Sequence, residues 1–161
     1  MLRPNTQGFF PYTPSTNLLY GLKEAIAMLH EEGLDEVFAR HDRHAEATRR
    51  AVRAWGLEVW CREPEHYSSS LTTVLMPEGH SANRLRHAAL AHFDISLGTG
   101  LGKLAGNVFR IGHLGDTNDL TIIGALAGVE MALGLAAVPH RAVGVQAAMT
   151  YLAKVARLGA R

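Results

Sequence analysis

The chain has 161 residues, 47% hydrophobic and 19% charged, with a formal net charge of +1. That length suits one domain with a substantial core, and the near-neutral balance gives no electrostatic footprint for nucleic acid or for an anionic membrane surface. A single cysteine, Cys61, excludes an internal disulfide; with no apolar run in the first six residues, it predicts a cytoplasmic protein.

Residues 1–15 carry three of the six prolines and Gly8, and read as an extended lead-in. Ser15 or Thr16 can cap a helix whose apolar positions Leu18, Leu19, Leu22, Ile26 and Leu29 follow the 3.6 period as far as Gly33. Asp35 opens a second helix with Val37, Phe38, His41, Ala45, Thr48 and Val52 on one side. Its other side is charged, and Gly56 ends it. Two short strands are predicted at 57–61 and 71–76, separated by a polar loop with Pro64 and three serines. A turn at 77–80 leads to Ser81, which caps a helix through Leu85, Ala88, Ala89 and His92.

Two further strands, 95–97 and 108–111, flank a glycine-rich connector at 98–106. Thr117 or Asn118 caps a long apolar helix ended by Pro139, and a last helix covers about 142–158. The order α-α-β-β-α-β-β-α-α leaves too little chain for βαβ crossovers throughout. It predicts an α+β fold, a small mixed or mostly antiparallel sheet covered by helices.

The segment 120–138 is almost wholly apolar and carries Gly124 and Gly128 at the spacing that lets membrane helices approach closely. Glu130 sits in its middle, where an unpaired charge in lipid costs roughly 2.5–3.5 kcal/mol, and no Lys/Arg cluster flanks it. The expectation is a buried helix packed through its glycines, with no membrane span.

Several motifs fail on detail. In 98–104 a phosphate loop would need glycine at Leu97 and a hydroxyl at Leu104, so the glycines serve positive φ or a close backbone approach. Nine histidines are scattered: His41 and His44 lie three apart with no third ligand placed near them, and His87 and His92 do not share a face. They are expected to be solvated or hydrogen-bonded, with no metal bound. Cys61 reads as a packed small residue in a strand, and no Ser-His-Asp order can be drawn.

Two segments point to anions. The run 12–17, Tyr-Thr-Pro-Ser-Thr-Asn, gathers hydroxyls just before a helix N-terminus, which suits either plain capping or an anion held by free N–H groups. In 108–115, Val-Phe-Arg-Ile-Gly-His-Leu-Gly, strand alternation puts Phe109 and Ile111 on one face and Val108, Arg110 and Gly112 on the other. With Phe109 and Ile111 in the core, Arg110 projects from the opposite side beside Gly112, which leaves room for an approach. Its fork can hold a structural carboxylate or a ligand's carboxylate or phosphate.

Segments 10–22, 31–35, 50–57, 96–106 and 109–115 closely resemble, in order, the class V family of pyridoxal-phosphate-dependent aminotransferases, in particular its serine–glyoxylate group. The likeness covers nearly the whole chain but only the C-terminal part of such an enzyme. It implies the small domain of a fold-type I aminotransferase, with 1–33 as the tail of the cofactor domain with its linking helix and 34–161 as the C-terminal small domain. The complete enzyme would move the amino group of L-serine (or alanine) to glyoxylate, as a homodimer with pyridoxal 5'-phosphate.

By that resemblance Arg110 grips the substrate's α-carboxylate, and Thr13 reaches the cofactor phosphate of the neighbouring subunit. An aromatic hydroxyl assists just before that threonine, in some relatives at the position of Phe10. Phenylalanine has no hydroxyl, and two readings stay open: Tyr12 substitutes for it, or nothing does. The family's Schiff-base lysine and the carboxylate near the pyridine nitrogen lie upstream of anything present here. Lys23, Lys103 and Lys154 do not follow that pattern, so no catalytic residue is assigned and the chain reads as a fragment. The alternative is a non-catalytic carboxylate-binding or subunit-docking module derived from that family.

Overall fold

A computed structural model describes Gly8, Phe10 and residues 12–159. Among the described residues five helices, α1 (Thr16–Glu32), α2 (Leu34–Trp55), α3 (Ala82–Phe93), α4 (Asp119–Leu135) and α5 (Gly144–Gly159), accompany four strands, β1 (Glu58–Val59), β2 (Leu71–Leu75), β3 (Gly98–Thr99) and β4 (Val108–Gly112). Backbone contacts divide the chain into two units, residues 1–37 and 38–161. In the first unit α1 follows the sequence expectation closely, yet none of its residues is buried. Its apolar stripe of Leu18, Leu22, Ile26 and Leu29 is exposed.

The second unit holds the sheet, and every pairing in it is antiparallel, in the order β1-β2-β4-β3. This is the α+β architecture expected from the element order. Register puts Val74 opposite Phe109 and Thr72 opposite Ile111. These four are buried and turn to the same face, toward a core completed by Trp55, Leu85, Leu126, Val129 and Leu133 from the helices.

Helix α2 buries His41, His44, Ala45, Thr48, Ala51, Val52 and Trp55, a stripe at three- and four-residue spacing. Phe38, expected in that stripe, is exposed. Val37 beside it is buried, because the stripe runs through 37, 41, 44, 45 and 48 and position 38 lies at its edge. On the charged side Arg49 and Arg50 pair with Glu46 at 3.3 and 2.8 Å.

The strand expected at 95–97 begins instead at Gly98. Helix α3 ends on Asp94 in the left-handed region (φ 54°), and the Ile95 N–H still donates to Ala89 O at 3.2 Å. The backbone is committed to the helix cap until it reaches β4. Cys61 likewise falls outside β1, and its thiol donates to the Glu63 carbonyl.

Asn118 caps α4, its side chain accepting from Thr121 N–H at 2.9 Å. The helix is 17 residues long, and no helix among the described residues is long and apolar enough to cross a membrane. Of the two glycines only Gly128 serves close packing, because a Cβ there would collide with Ile95. Gly124 faces open space.

Candidate functional site

Strand β4 carries Arg110 opposite Thr73 of β2 on one flank and Gly98 of β3 on the other. Alternation turns Leu71, Thr73, Leu75 and Arg110 away from the core, onto a face that is half-buried. Val108, also on this side, is buried; a side chain at Gly100 in the connector would run into it and into the Leu104 carbonyl. The connector thus packs down beside the strand and forms no phosphate cradle.

The Arg110 side chain leans over Gly98. A Cβ at position 98 would lie 3.0 Å from its Cβ, 3.1 Å from Nε and 3.6 Å from Cζ. Arg110 Nε is buried without any hydrogen-bond partner, and among the described residues no acid pairs with the guanidinium. Of the two roles the sequence allowed this arginine, a structural carboxylate is not found beside it among the described residues. A buried donor left unpaired costs about 1–3 kcal/mol, and with no acid beside it among the described residues the half-buried guanidinium suits an anion brought to its terminal nitrogens from outside. Gly112, on the same face two residues on, has open space where a side chain would stand.

The turn after β4 is held by the histidines that sequence spacing left without a metal. Gly115 N–H donates to His41 Nε2 at 3.1 Å, and Arg40 donates to the Gly115 and Thr117 carbonyls at 2.8 and 3.1 Å. His44 Nε2–H donates to Asp119 Oδ1 at 2.9 Å, and Arg43 reaches the same oxygen at 3.1 Å. His113 donates through Nδ1 to the Ser69 carbonyl at 3.0 Å and accepts from the Thr72 hydroxyl at 2.9 Å. It thereby clamps the start of β2 to the end of β4. Among the described residues there is no group of three or more potential ligands that could hold a metal.

Burial disfavours the charged imidazole, pushing His113 down to about 4 despite the Ser69 carbonyl. Burial also lowers His44, against the opposing pull of Asp119. Burial pushes the Asp119 carboxyl up, but the hydrogen bonds from His44 and Arg43 outweigh it and hold the carboxyl below its ordinary value. A neutral His44 donating to an ionised Asp119 satisfies both shifts.

In the first unit Tyr12 and Thr13 are exposed directly before α1, and Ser15, at the N-cap, makes no side-chain capping bond. The first-turn N–H groups therefore lack that partner. Lys23, Lys103 and Lys154 are all exposed. Gly98 is the residue that sequence reasoning missed at this site, because only the β3–β4 register brings it beside Arg110.

A four-stranded antiparallel sheet with helices on its core face, and on the other an arginine that no acid pairs among the described residues, is the arrangement expected of an aminotransferase-type small domain. The structure superposes on pyridoxamine-pyruvate aminotransferase from Mesorhizobium loti with a TM-score of 0.84 at 34% identity, over 90% of this chain and 38% of that one. The chain is 48% identical over 153 residues to the serine–glyoxylate aminotransferase of Methylorubrum extorquens, covering 93% of this chain and 38% of that protein. It is 50% identical over 133 residues to that of Hyphomicrobium methylovorum, covering 83% and 33%. No family model matches. The chain belongs to the class V aminotransferases, of which it forms a C-terminal portion. It spans little more than a third of the length of these relatives.

Proposed function

We propose that this chain supplies the carboxylate grip of a pyridoxal-phosphate-dependent transaminase. The complete enzyme moves the amino group of L-serine (or alanine) to glyoxylate; with serine the products are hydroxypyruvate and glycine. Arg110 holds the α-carboxylate of amino donor and oxo acceptor in turn. The observation that carries this reading is the half-buried guanidinium that no acid neutralises among the described residues. Thr13 and Tyr12 hold the cofactor phosphate across the interface of a homodimer, a role supported by their place before an α1 N-terminus that the Ser15 side chain does not cap.

The residues present fit the anionic ends of cofactor and substrate. They do not fit the covalent attachment, since all three lysines are exposed and none follows the family's Schiff-base pattern. When bound, the cofactor supplies the electron sink that labilises the substrate's α-carbon; this chain's part is to bind and orient. Residues 1–33 are assigned to the tail of the cofactor domain and 34–161 to the small domain, in a cytoplasmic protein whose one thiol stays reduced. A subunit-docking role is the second reading, favoured by the bare apolar stripe of α1.

The test is Arg110→Ala in the complete enzyme. Loss of a charged hydrogen-bonded pair costs about 2–5 kcal/mol, which is roughly 30-fold to several-thousand-fold in amino-acid affinity. An unchanged KM for serine removes Arg110 from the site. Separately, this chain mixed with pyridoxal phosphate should stay free of aldimine colour, and after borohydride reduction and dialysis should carry no covalent pyridoxyl adduct by mass. One lysine modified stoichiometrically would make the chain itself the cofactor holder.

A further inference from the structure

Residues directly opposite on neighbouring antiparallel strands have their Cβ atoms about 4.5–5.5 Å apart, so a side chain at position 98 would stand against Arg110. Instead the arginine occupies that space: its Cβ, Nε and Cζ lie 3.0, 3.1 and 3.6 Å from where a Cβ at 98 would be. The arm is laid over the β3 backbone, and Nε is sealed from solvent. With Nε enclosed, the two terminal nitrogens are the ones that meet an incoming carboxylate, in the parallel two-bond geometry that a guanidinium favours.

We propose that Gly98 is a positioning residue for Arg110: its missing side chain fixes where the guanidinium lies and therefore where a carboxylate docks. The inference rests on the Arg110 reading above and adds to it the device that preorganises the grip. An arginine free to sample rotamers loses that freedom on binding, whereas one already laid against the backbone loses less. An added methyl at 98 falls tighter than ordinary van der Waals contact against Cβ and Nε, so it lifts the arm and reopens Nε to water. Gly112, on the same face with open space around it, is not used in this way.

The experiment uses the full chain labelled with 15N-arginine, following the Arg110 Nε–H by NMR. Its exchange with water is measured, and sodium acetate is titrated as the probe. In the natural sequence that proton is expected to exchange at least about tenfold more slowly than in exposed arginines and to shift with acetate. Gly98→Ala is expected to abolish both effects, while Thr73→Val on the opposite flank leaves both unchanged and Gly112→Ala leaves the protection unchanged.

Retained protection in Gly98→Ala overturns the proposal and leaves the carboxylate reading intact. So does equal loss of protection in Thr73→Val or Gly112→Ala, which keeps the proposal refutable if Gly98→Ala does not fold. Loss of protection in Gly98→Ala alone, with no acetate response even in the natural sequence, supports the positioning role and overturns the carboxylate reading.

Discussion

The Trp55 indole N–H donates to Glu130 Oε2 at 2.6 Å, and the same oxygen accepts the main-chain N–H groups of Gly144 and Val145 at 2.8 and 3.1 Å. One carboxylate thus joins the end of α2 to the start of α5, where the helix dipole favours a negative charge. Glu130→Ala leaves an indole and two first-turn donors without that acceptor and is expected to cost about 2–4 kcal/mol. Glu130→Gln keeps an oxygen and loses the charge, costing about 1 kcal/mol. Urea denaturation of both variants checks the order; equal losses would show that the charge, and not the acceptor, matters.

Gly124 and Gly128 are four residues apart on α4 and should respond oppositely to alanine. At Gly128 the new methyl collides with Ile95, and overpacking costs about 1–3 kcal/mol. At Gly124 the methyl enters open space, and a better helix former stabilises by about 0.5–1 kcal/mol. Thermal unfolding that moves both variants the same way would contradict the packing of α4 on 95.

The two glycines also show what sequence could and could not supply. Periodicity located nearly every helix, and the apolar alternation of 108–112 put Arg110 on the correct side of its strand, because both signals are local. Glu130 was legible as an objection to a membrane span. Its partners were not, since Trp55 lies 75 residues away and only folding brings the indole to it. The same limit hid Gly98, whose importance exists only in the β3–β4 register, and it displaced the third strand to 98–99, since the cap at Asp94 is a backbone event. From spacing the nine histidines read as solvated or hydrogen-bonded, and His41, His44 and His113 are hydrogen-bonded ties between α2, β2 and the turn after β4, with partners that spacing does not show.

Those ties make stability pH-dependent. In the unfolded chain His113 titrates near 6.5, while burial holds it at about 4 in the fold. Between those values the unfolded state binds more protons, so stability is full above about pH 7 and falls as the pH drops from 6.5 toward 4, by about 3 kcal/mol at most. The lowered His44 acts in the same direction. His113→Gln should flatten the fall over that window while lowering stability at pH 7. Urea midpoints measured from pH 7.5 to 4 decide it, and a variant with an undiminished slope would remove His113 as a source.

Arg110 offers a last test, because a residue kept for a ligand leaves a signature in stability. Its Nε is buried without an acceptor, and among the described residues no acid offsets its charge, so the fold gains little from it. Arg110→Met keeps an unbranched arm to lie over Gly98 and removes the stranded donor; stability is expected to stay level or to rise by about 1 kcal/mol. Its neighbours Phe109 and Ile111 are buried in the core, and Phe109→Ala should cost about 3–5 kcal/mol. The contrast within one strand, read from urea midpoints alongside an acetate titration that Arg110→Met no longer answers, separates what β4 does for the fold from what it holds ready for a substrate. A loss above about 1 kcal/mol in Arg110→Met would return the arginine to a structural role.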